Sequence, residues 1–504
     1  MTKRITAFLL CAVIIASVFS ACSSSDPEPE QITQQDATTA QVIPPEDNIP
    51  PDDTTFKLSY TQTDSLNPYK SNTLNNQIIG QLVFDGLFKL DGDFNASPNI
   101  AESYRYPNSK TLEVTIKSGQ TFSDGSLLTA DDITYSFKQA SASSYWGNSL
   151  NGISSCSAAS NMVVVFKLKY PNAYAHNLLS FPIVSTGKNE DGFPIGSGRY
   201  YFAKESGETV LKANTQNGFS PYLTTIHLEN ITAYESIDNA VNIGNISFAF
   251  RDLGRDSSRN ITSAKRLVNM NNLVYLGVNN KKGITANAYI RKAISLALDR
   301  ETLVRSPYNS FAREATTVFH PQFELSTTRI FDGSADINGA KQAIAQSGVS
   351  KLSLSLLVNG ENADRVNCAK TIKQQLEAVG FSVNLVIADS FEKYEERIKN
   401  ESFDLYLGEA KITDDMSLNM FFSSNGATNY GIDSDKCKSA EQYEKYINGE
   451  ADLGAFLLAF SEEMPYIPLL YREGMICYSK AMKGDMQGTY NDCFANIENW
   501  YFKS

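Results

Sequence analysis

A chain of 504 residues is too long for one hydrophobic core and implies two or three domains. With 42% hydrophobic and 20% charged residues it is globular rather than disordered. Its formal net charge is -12, or -14 once the two cations Lys3 and Arg4 leave with residues 1–21, which argues against nucleic acid as a partner and against a polybasic hold on anionic lipid.

The chain opens with MTKR, a short basic region, followed by ITAFLLCAVIIASVF, an apolar stretch of signal-peptide length, and then Ser20-Ala21-Cys22. Small residues before a cysteine resemble a bacterial lipoprotein signal, which implies cleavage before Cys22 and lipidation of its thiol. Residues 23–54 are rich in Ser, Gln, Pro and acids, with almost no large apolar side chain. They cannot bury enough surface to fold, so an extended tether is expected over 22–54. No later segment is apolar for long enough to span a bilayer.

The folded body begins with FKLSYTQ (56–62), a short alternating strand, and the turn SLNPY (65–69). NNQIIGQLVFDGLFKL (75–90) places Ile78, Leu82 and Val83 on one buried helix face. TLEVTIKSG (111–119) and MVVVFKLKY (162–170) are strands. Between them, FSDGSLLTADDITYSF (122–137) holds a turn at Asp124-Gly125 and an N-cap at Thr129, with Asp131 and Asp132 in the first helical turn. Ile133, Phe137 and Ala140 then recur at helical spacing. IRKAISLALDRETLV (290–304) is amphipathic, with Ile290, Ala293, Ile294, Ala297 and Leu298 on one side. From residue 350 strands alternate with helices: LSLSLLVN (352–359), RVNCAKTIKQQLEAVG (365–380), FSVNLVIA (381–388), FEKYEERIKN (391–400) and FDLYLGEA (403–410). This β-α-β-α-β order predicts an α/β half with a largely parallel sheet.

Chemistry-bearing constellations are sparse. His176, His227 and His320 lie far apart, with no His-Glu-x-x-His or Cys-x-x-Cys spacing, so no zinc motif is present. STGKN (185–189) lacks the upstream glycine and the following Ser or Thr of a phosphate loop, and GSGRY (196–200) lacks nucleophile-elbow spacing. The pairs Asp131-Asp132 and Asp414-Asp415 read as caps or turns rather than a hydrolase's two carboxylates. The expectation is a protein that is not an enzyme and needs no metal or cofactor. After Cys11 and Cys22, Cys156, Cys368, Cys437, Cys477 and Cys493 are odd in number and widely spaced, which favours buried free thiols and leaves a Cys477–Cys493 bridge open.

Seven blocks occur in a telling order: SLNPY (65–69), VFDGLFKLDGDFNASPNIAESY (83–104), TLEVTIKSGQTFSDGSLLTADDITYSF (111–137), IGSGRYYF (195–202), IRKAISLALDRETLV (290–304), QLEAVGFSVNL (375–385) and MPYIPLLYR (464–472). Together they resemble the extracytoplasmic solute-binding proteins of ABC importers in the oligopeptide and dipeptide family, family 5. The resemblance spans residues 56–504. It implies an α/β, two-lobed, type II periplasmic-binding fold. Lobe I would comprise 55–272 plus 471–504, with an extra subdomain at about 85–185, and lobe II would comprise 273–470. The chain would cross near LVYLGVN (273–279) and return near IPLLYREG (467–474).

The implied function is capture of a peptide or similar small solute between the lobes by hinge closure, and delivery to the membrane permease. A lipid on Cys22 would hold the protein on the extracytoplasmic face of the cell membrane. A surface sensor or adhesin on the same fold is the alternative, with a lipid-anchored hydrolase behind it. By the same resemblance, Asn72 and Leu74 line the cleft, Tyr145 or Trp146 supplies an aromatic wall, and the loop in LGEAKITDDMSLNMFF (407–422) contributes Glu409, Lys411 and Ile412. Peptide-binding relatives often carry an Asp in that loop. Aligning on Gly408 puts Ile412 there, with Lys411 beside it. An ammonium at 411 favours a ligand carboxylate or phosphate. Arg251 and Tyr471, near the two crossings, are further ligand-binding candidates.

Overall fold

The computed structural model describes residues 55–254 and 261–502; the signal segment, Cys22 and the expected tether lie outside the described residues. No helix among the described residues is long and apolar enough to cross a membrane.

The alternation after residue 350 folds as its pattern dictates. Strands Ser353–Asn359 and Ser382–Ala388 run parallel, with Leu354 beside Val383 and Leu356 beside Leu385. Strand Leu405–Lys411 lies parallel on the other side, Leu356 facing Leu405. The crossover helix Ala363–Ala378 starts where the Asn362 side chain accepts from the Arg365 amide, and it buries Cys368, Ala369, Ile372 and Leu376 against the sheet. Leu356, Leu357 and Val358 are buried because the sheet is covered on both faces.

The parallel run of this half ends at Leu405–Lys411, and Lys57–Tyr60 pairs parallel again with both of its neighbours further along the sheet. The other neighbour of Leu405–Lys411, Ala264–Val278, runs antiparallel to it and antiparallel again to Tyr466–Tyr478. Beyond those two strands the sheet continues through Phe248–Asp252, Lys57–Tyr60, Thr225–Asn230, Glu208–Ala213 and Tyr200–Glu205. Ala312–Glu314 also pairs with Tyr466–Tyr478, giving eleven strands in a mixed sheet. Ala264–Val278 and Tyr466–Tyr478 are the long members, of 15 and 13 residues. Their register slips midway: Asn269 faces Glu473, yet Leu273 faces Tyr471, so the first strand bulges over 270–272.

The hydrophobic cores change over at the same place. One core takes Val268, Met270 and Ile476 together with residues such as Phe56, Leu82, Phe248 and Trp500. The other begins at Leu273 and runs to Tyr471, with Phe94 as its buried member from earlier in the chain. The first core is closed by aromatics from both ends of the described chain. Trp500, fully buried, sits 6.4 Å from Phe56 and 5.6 Å from Phe248, ring centre to ring centre.

A separate antiparallel sheet is formed by Ala101–Asn108, Thr111–Ile116, Val163–Leu168 and Ile153–Ser160. The helix Ala130–Ser141 buries Ile133, Phe137 and Ala140, the residues the spacing singles out. Its start is a capping box: the Thr129 amide and hydroxyl both donate to the Asp132 carboxylate, at 2.9 and 2.8 Å. Cys156, Cys368, Cys437, Cys477 and Cys493 are all free thiols, so the Cys477–Cys493 bridge left open by the sequence is not formed.

Candidate functional site

A cavity of about 120 Å³ opens beside the strand crossings. Leu74, Ile78 and Gln81 face it from the helix Leu74–Val83. That helix begins after Thr73, whose amide and hydroxyl donate to Asp64 at 2.8 and 2.7 Å, and the same carboxylate takes the Asn72 amide. Phe84, Asp85, Phe88 and Lys89 continue the wall. Tyr145 and Trp146 follow the helix Ala130–Ser141 in a turn whose amides donate to Ser143 Oγ, and their rings meet edge to face at 5.2 Å. From the other core come Lys411, at the end of the strand Leu405–Lys411, and Asp414 in the loop beyond it.

The C-terminal segment supplies Tyr490, Asn491 and Asp492. Gln81 fixes this segment from both ends of its amide, donating to the Tyr490 carbonyl at 3.1 Å and accepting from the Cys493 amide at 2.8 Å. Arg199 ties it down further, bonding Asp492 at 2.6 Å and the Phe494 carbonyl at 2.7 Å. Tyr490 is thereby held against Lys411, whose ammonium donates to the phenol oxygen at 2.9 Å. The ammonium also lies 5.4 Å from the Tyr145 ring centre and 5.0 Å from that of Tyr490. Lys411 is exposed and lines the cavity. Desolvation by the neighbouring wall disfavours its charge, but the flanking Tyr145 and Tyr490, the Asp414 carboxylate and the hydrogen bond to Tyr490 outweigh that, and its pKa lies above the usual lysine value.

The loop 411–415 also fastens the two cores together. Asn177 donates to the Asp414 carbonyl at 3.1 Å and Asn172 to the Asp415 carboxylate at 2.7 Å. From the bulge between the crossings, Asn271 donates to the Asp414 carboxylate at 2.6 Å.

Of the residues singled out in the sequence, the structure brings Leu74, Tyr145, Trp146 and Lys411 together around the cavity. Asn72 is exposed, its side chain turned to the Lys70 carbonyl. Ile412 is buried in the second core, because strand alternation sends it away from the face that carries Lys411. Tyr471 is also buried there, donating to the Val318 carbonyl. Arg251 pairs with Asp238 at 2.6 Å and lies 3.6 Å over the Tyr234 ring, in a small core cluster away from the cavity.

Glu409 belongs to a buried ion network at the crossing. It accepts from Arg365 at 2.6 Å, Arg472 at 2.8 Å and Asn272 at 2.8 Å. Burial alone would raise its pKa, but the two guanidiniums and the amide bring it below the ordinary value. Tyr490, Asp414, Gln81 and Arg199 were missed. Tyr490 and Gln81 carry no motif that separates them from other surface-type residues; Asp414 was visible only as one of an acid pair. Among the described residues, no group of three His, Cys, Asp or Glu side chains is placed to hold a metal.

The geometry is an aromatic-walled cavity assembled from two cores, whose lining balances the cations Lys89, Arg199 and Lys411 against the carboxylates of Asp85, Asp414 and Asp492. The family model for bacterial extracellular solute-binding proteins, family 5 (middle) matches residues 95–430. The oligopeptide-binding protein AppA of Bacillus subtilis is 24% identical over 477 residues, covering 84% of this chain and 87% of its own. The glutathione-binding protein GsiB of Salmonella paratyphi A is 20% identical, covering 83% and 89%. Among solved structures, the ABC transporter substrate-binding protein CtaP of Listeria monocytogenes superposes with a TM-score of 0.68 at 20% identity, covering 89% of this chain and 99% of its own.

Proposed function

Because this chain belongs to the bacterial extracellular solute-binding proteins of family 5, substrate-binding components of ABC importers, we propose that it captures a small solute bearing an anionic group, with Lys411 as the partner of that group. The observation that carries this reading is the position of Lys411. Its ammonium spends one N–H on Tyr490 and faces a cavity shared by both cores. The relatives named above bind oligopeptide or glutathione, solutes that carry carboxylates, and a peptide or peptide-like solute is the class we assign here.

The mechanism needs no covalent step. We take 55–272 plus 471–504 as lobe I and 273–470 as lobe II, with the two long strands as a double hinge. A solute touching both lobes favours the closed form, and the permease reads that form. The protein is then a binder, not an enzyme.

In a cavity of this kind a charge-assisted hydrogen bond contributes about 1.5–3 kcal/mol, roughly 10- to 100-fold in affinity. Lys411→Met keeps the apolar stem and removes the ammonium. It is expected to weaken binding of the solute that co-purifies with the protein, identified by native mass spectrometry, by that factor. Equal affinity in parent and variant would reduce Lys411 to a wall residue.

Anchoring is the second part of the proposal. Ser20-Ala21-Cys22 after an apolar stretch implies a mature chain starting at a lipidated Cys22, and two or more acyl chains are needed for stable retention. The tether would then keep the binder at high effective concentration near its permease. Cys22→Ala should move the protein out of the membrane fraction; an intact mass showing a mature N-terminus elsewhere would end the claim.

A further inference from the structure

We propose that this site takes up a proton together with an anionic solute, and that Asp414 is the group that receives it. The inference rests on the reading of Lys411 as the anion's partner and adds a proton linkage to it.

The two adjacent carboxylates of the loop are treated unequally. Asp415 accepts from Asn172 at 2.7 Å, from the Ser417 amide at 3.2 Å and from the Thr413 hydroxyl. Asp414 lines the cavity, and its carboxylate accepts the Asn271 amide alone among these neighbours, at 2.6 Å. The Asn177 amide goes to its backbone carbonyl instead. Charged and titratable groups face Asp414 from every side: Lys411 and Asp415 on its own loop, and Tyr145 and Tyr490 across the cavity. The other cations of the lining are already ion-paired, Lys89 to Asp85 at 3.4 Å and Arg199 to Asp492 at 2.6 Å. Lys411 therefore draws its compensating charge from Asp414, and Asp414 from Lys411.

Burial raises the Asp414 carboxyl to about 6, against the pull of Lys411 and with the Asp415 carboxylate pushing the same way as burial. An anion on Lys411 cancels the charge that keeps Asp414 ionised and adds a second negative charge beside it. The proton affinity of Asp414 is then higher in the complex than in the empty site. By linkage, binding strengthens as pH falls through the interval between the bound value and about 6, then levels off. The proton comes from solvent and rests on a carboxylate oxygen of Asp414; no other bond changes. If the anion raises the carboxyl by one to two units, the gain between pH 7.5 and 5.5 is roughly tenfold.

Two probes separate the charges. N-acetylphenylalanine offers a carboxylate with no amine, and a ring for the aromatic wall; phenylalanine amide offers the ammonium with no carboxylate. Calorimetry from pH 5 to 8, in buffers of different ionisation heat, measures affinity and counts protons. N-acetylphenylalanine is expected to bind about tenfold more tightly at pH 5.5 than at 7.5, with net proton uptake. Asp414→Asn, a neutral stand-in for the protonated acid, should bind it tightly and with no slope. A flat profile in the parent, or a slope that survives in Asp414→Asn, overturns the linkage. If Lys411→Met still weakens the probe in that case, the reading of Lys411 stands without it. Preference for phenylalanine amide would make Asp414 the ligand's own partner and overturn the proposal, as would failure of N-acetylphenylalanine to bind at any pH.

Discussion

Arg472→Met is expected to destabilise the protein by about 3–5 kcal/mol, seen as a melting temperature several degrees lower. Arg472 is buried, and it bonds Glu409 at 2.8 Å on one side and Asp252 on the other. Methionine would keep much of the stem and take one of two guanidiniums from Glu409, whose side chain is little exposed, leaving Arg365 bonded to it. Breaking a buried pair costs more than the pair itself contributes, because the carboxylate loses compensation in a poorly solvated place. The position adds a second readout. Glu409 stands on Leu405–Lys411 and Asp252 on Phe248–Asp252, strands that flank the two long crossing strands on opposite sides. Losing the bridge should loosen the hinge, so the empty variant is expected to scatter with a larger radius of gyration than the empty parent. An unchanged melting temperature would show that solvent already screens this network.

Gly196→Ala is expected to cost about 3 kcal/mol or more and to impair binding as well. A Cβ at this position would meet the Val83 carbonyl oxygen at 2.0 Å and the Phe84 ring at 2.6 Å. Gly198 makes the same close approach, its amide donating to the Val83 carbonyl at 3.0 Å. No side-chain rotation relieves a clash with backbone, so the helix Leu74–Val83 must shift. It carries Leu74 and Ile78 into the cavity, and its Gln81 holds Tyr490. Gly187→Ala is the control: its nearest neighbour would be 3.7 Å away, and no change in stability is expected. Equal melting temperatures for the two variants would mean that the glycine pair is not a packing requirement.

The α/β architecture was legible because its signals are local. Ile372 and Leu376 face a sheet whatever lies beyond it, and Asn362 caps its helix through a neighbour three residues on. The antiparallel pairing of Leu405–Lys411 with Ala264–Val278 was not legible, because it joins segments more than a hundred residues apart. The site follows the same division. Lys411 stood out as a charge at a strand end, and the structure places it at the cavity. Arg251, a candidate near a crossing, and Glu409, a candidate in the loop 407–422, each meet a charged partner that the sequence reading did not pair with them, Asp238 and Arg472. Tyr490 escaped notice for the opposite reason: only its neighbours Gln81 and Arg199, far back in the chain, make it part of a wall.

The aromatic cluster that closes the first core sets an order on biosynthesis. Phe56 is made more than four hundred residues before Phe494 and Trp500, against which its core packs. The strand Tyr466–Tyr478, which joins the two halves of the sheet, also follows most of the residues it organises. Domains usually fold as their own residues emerge. Here the core that Phe56 begins cannot close until Trp500 has been made, and contacts so distant in sequence are slow to form.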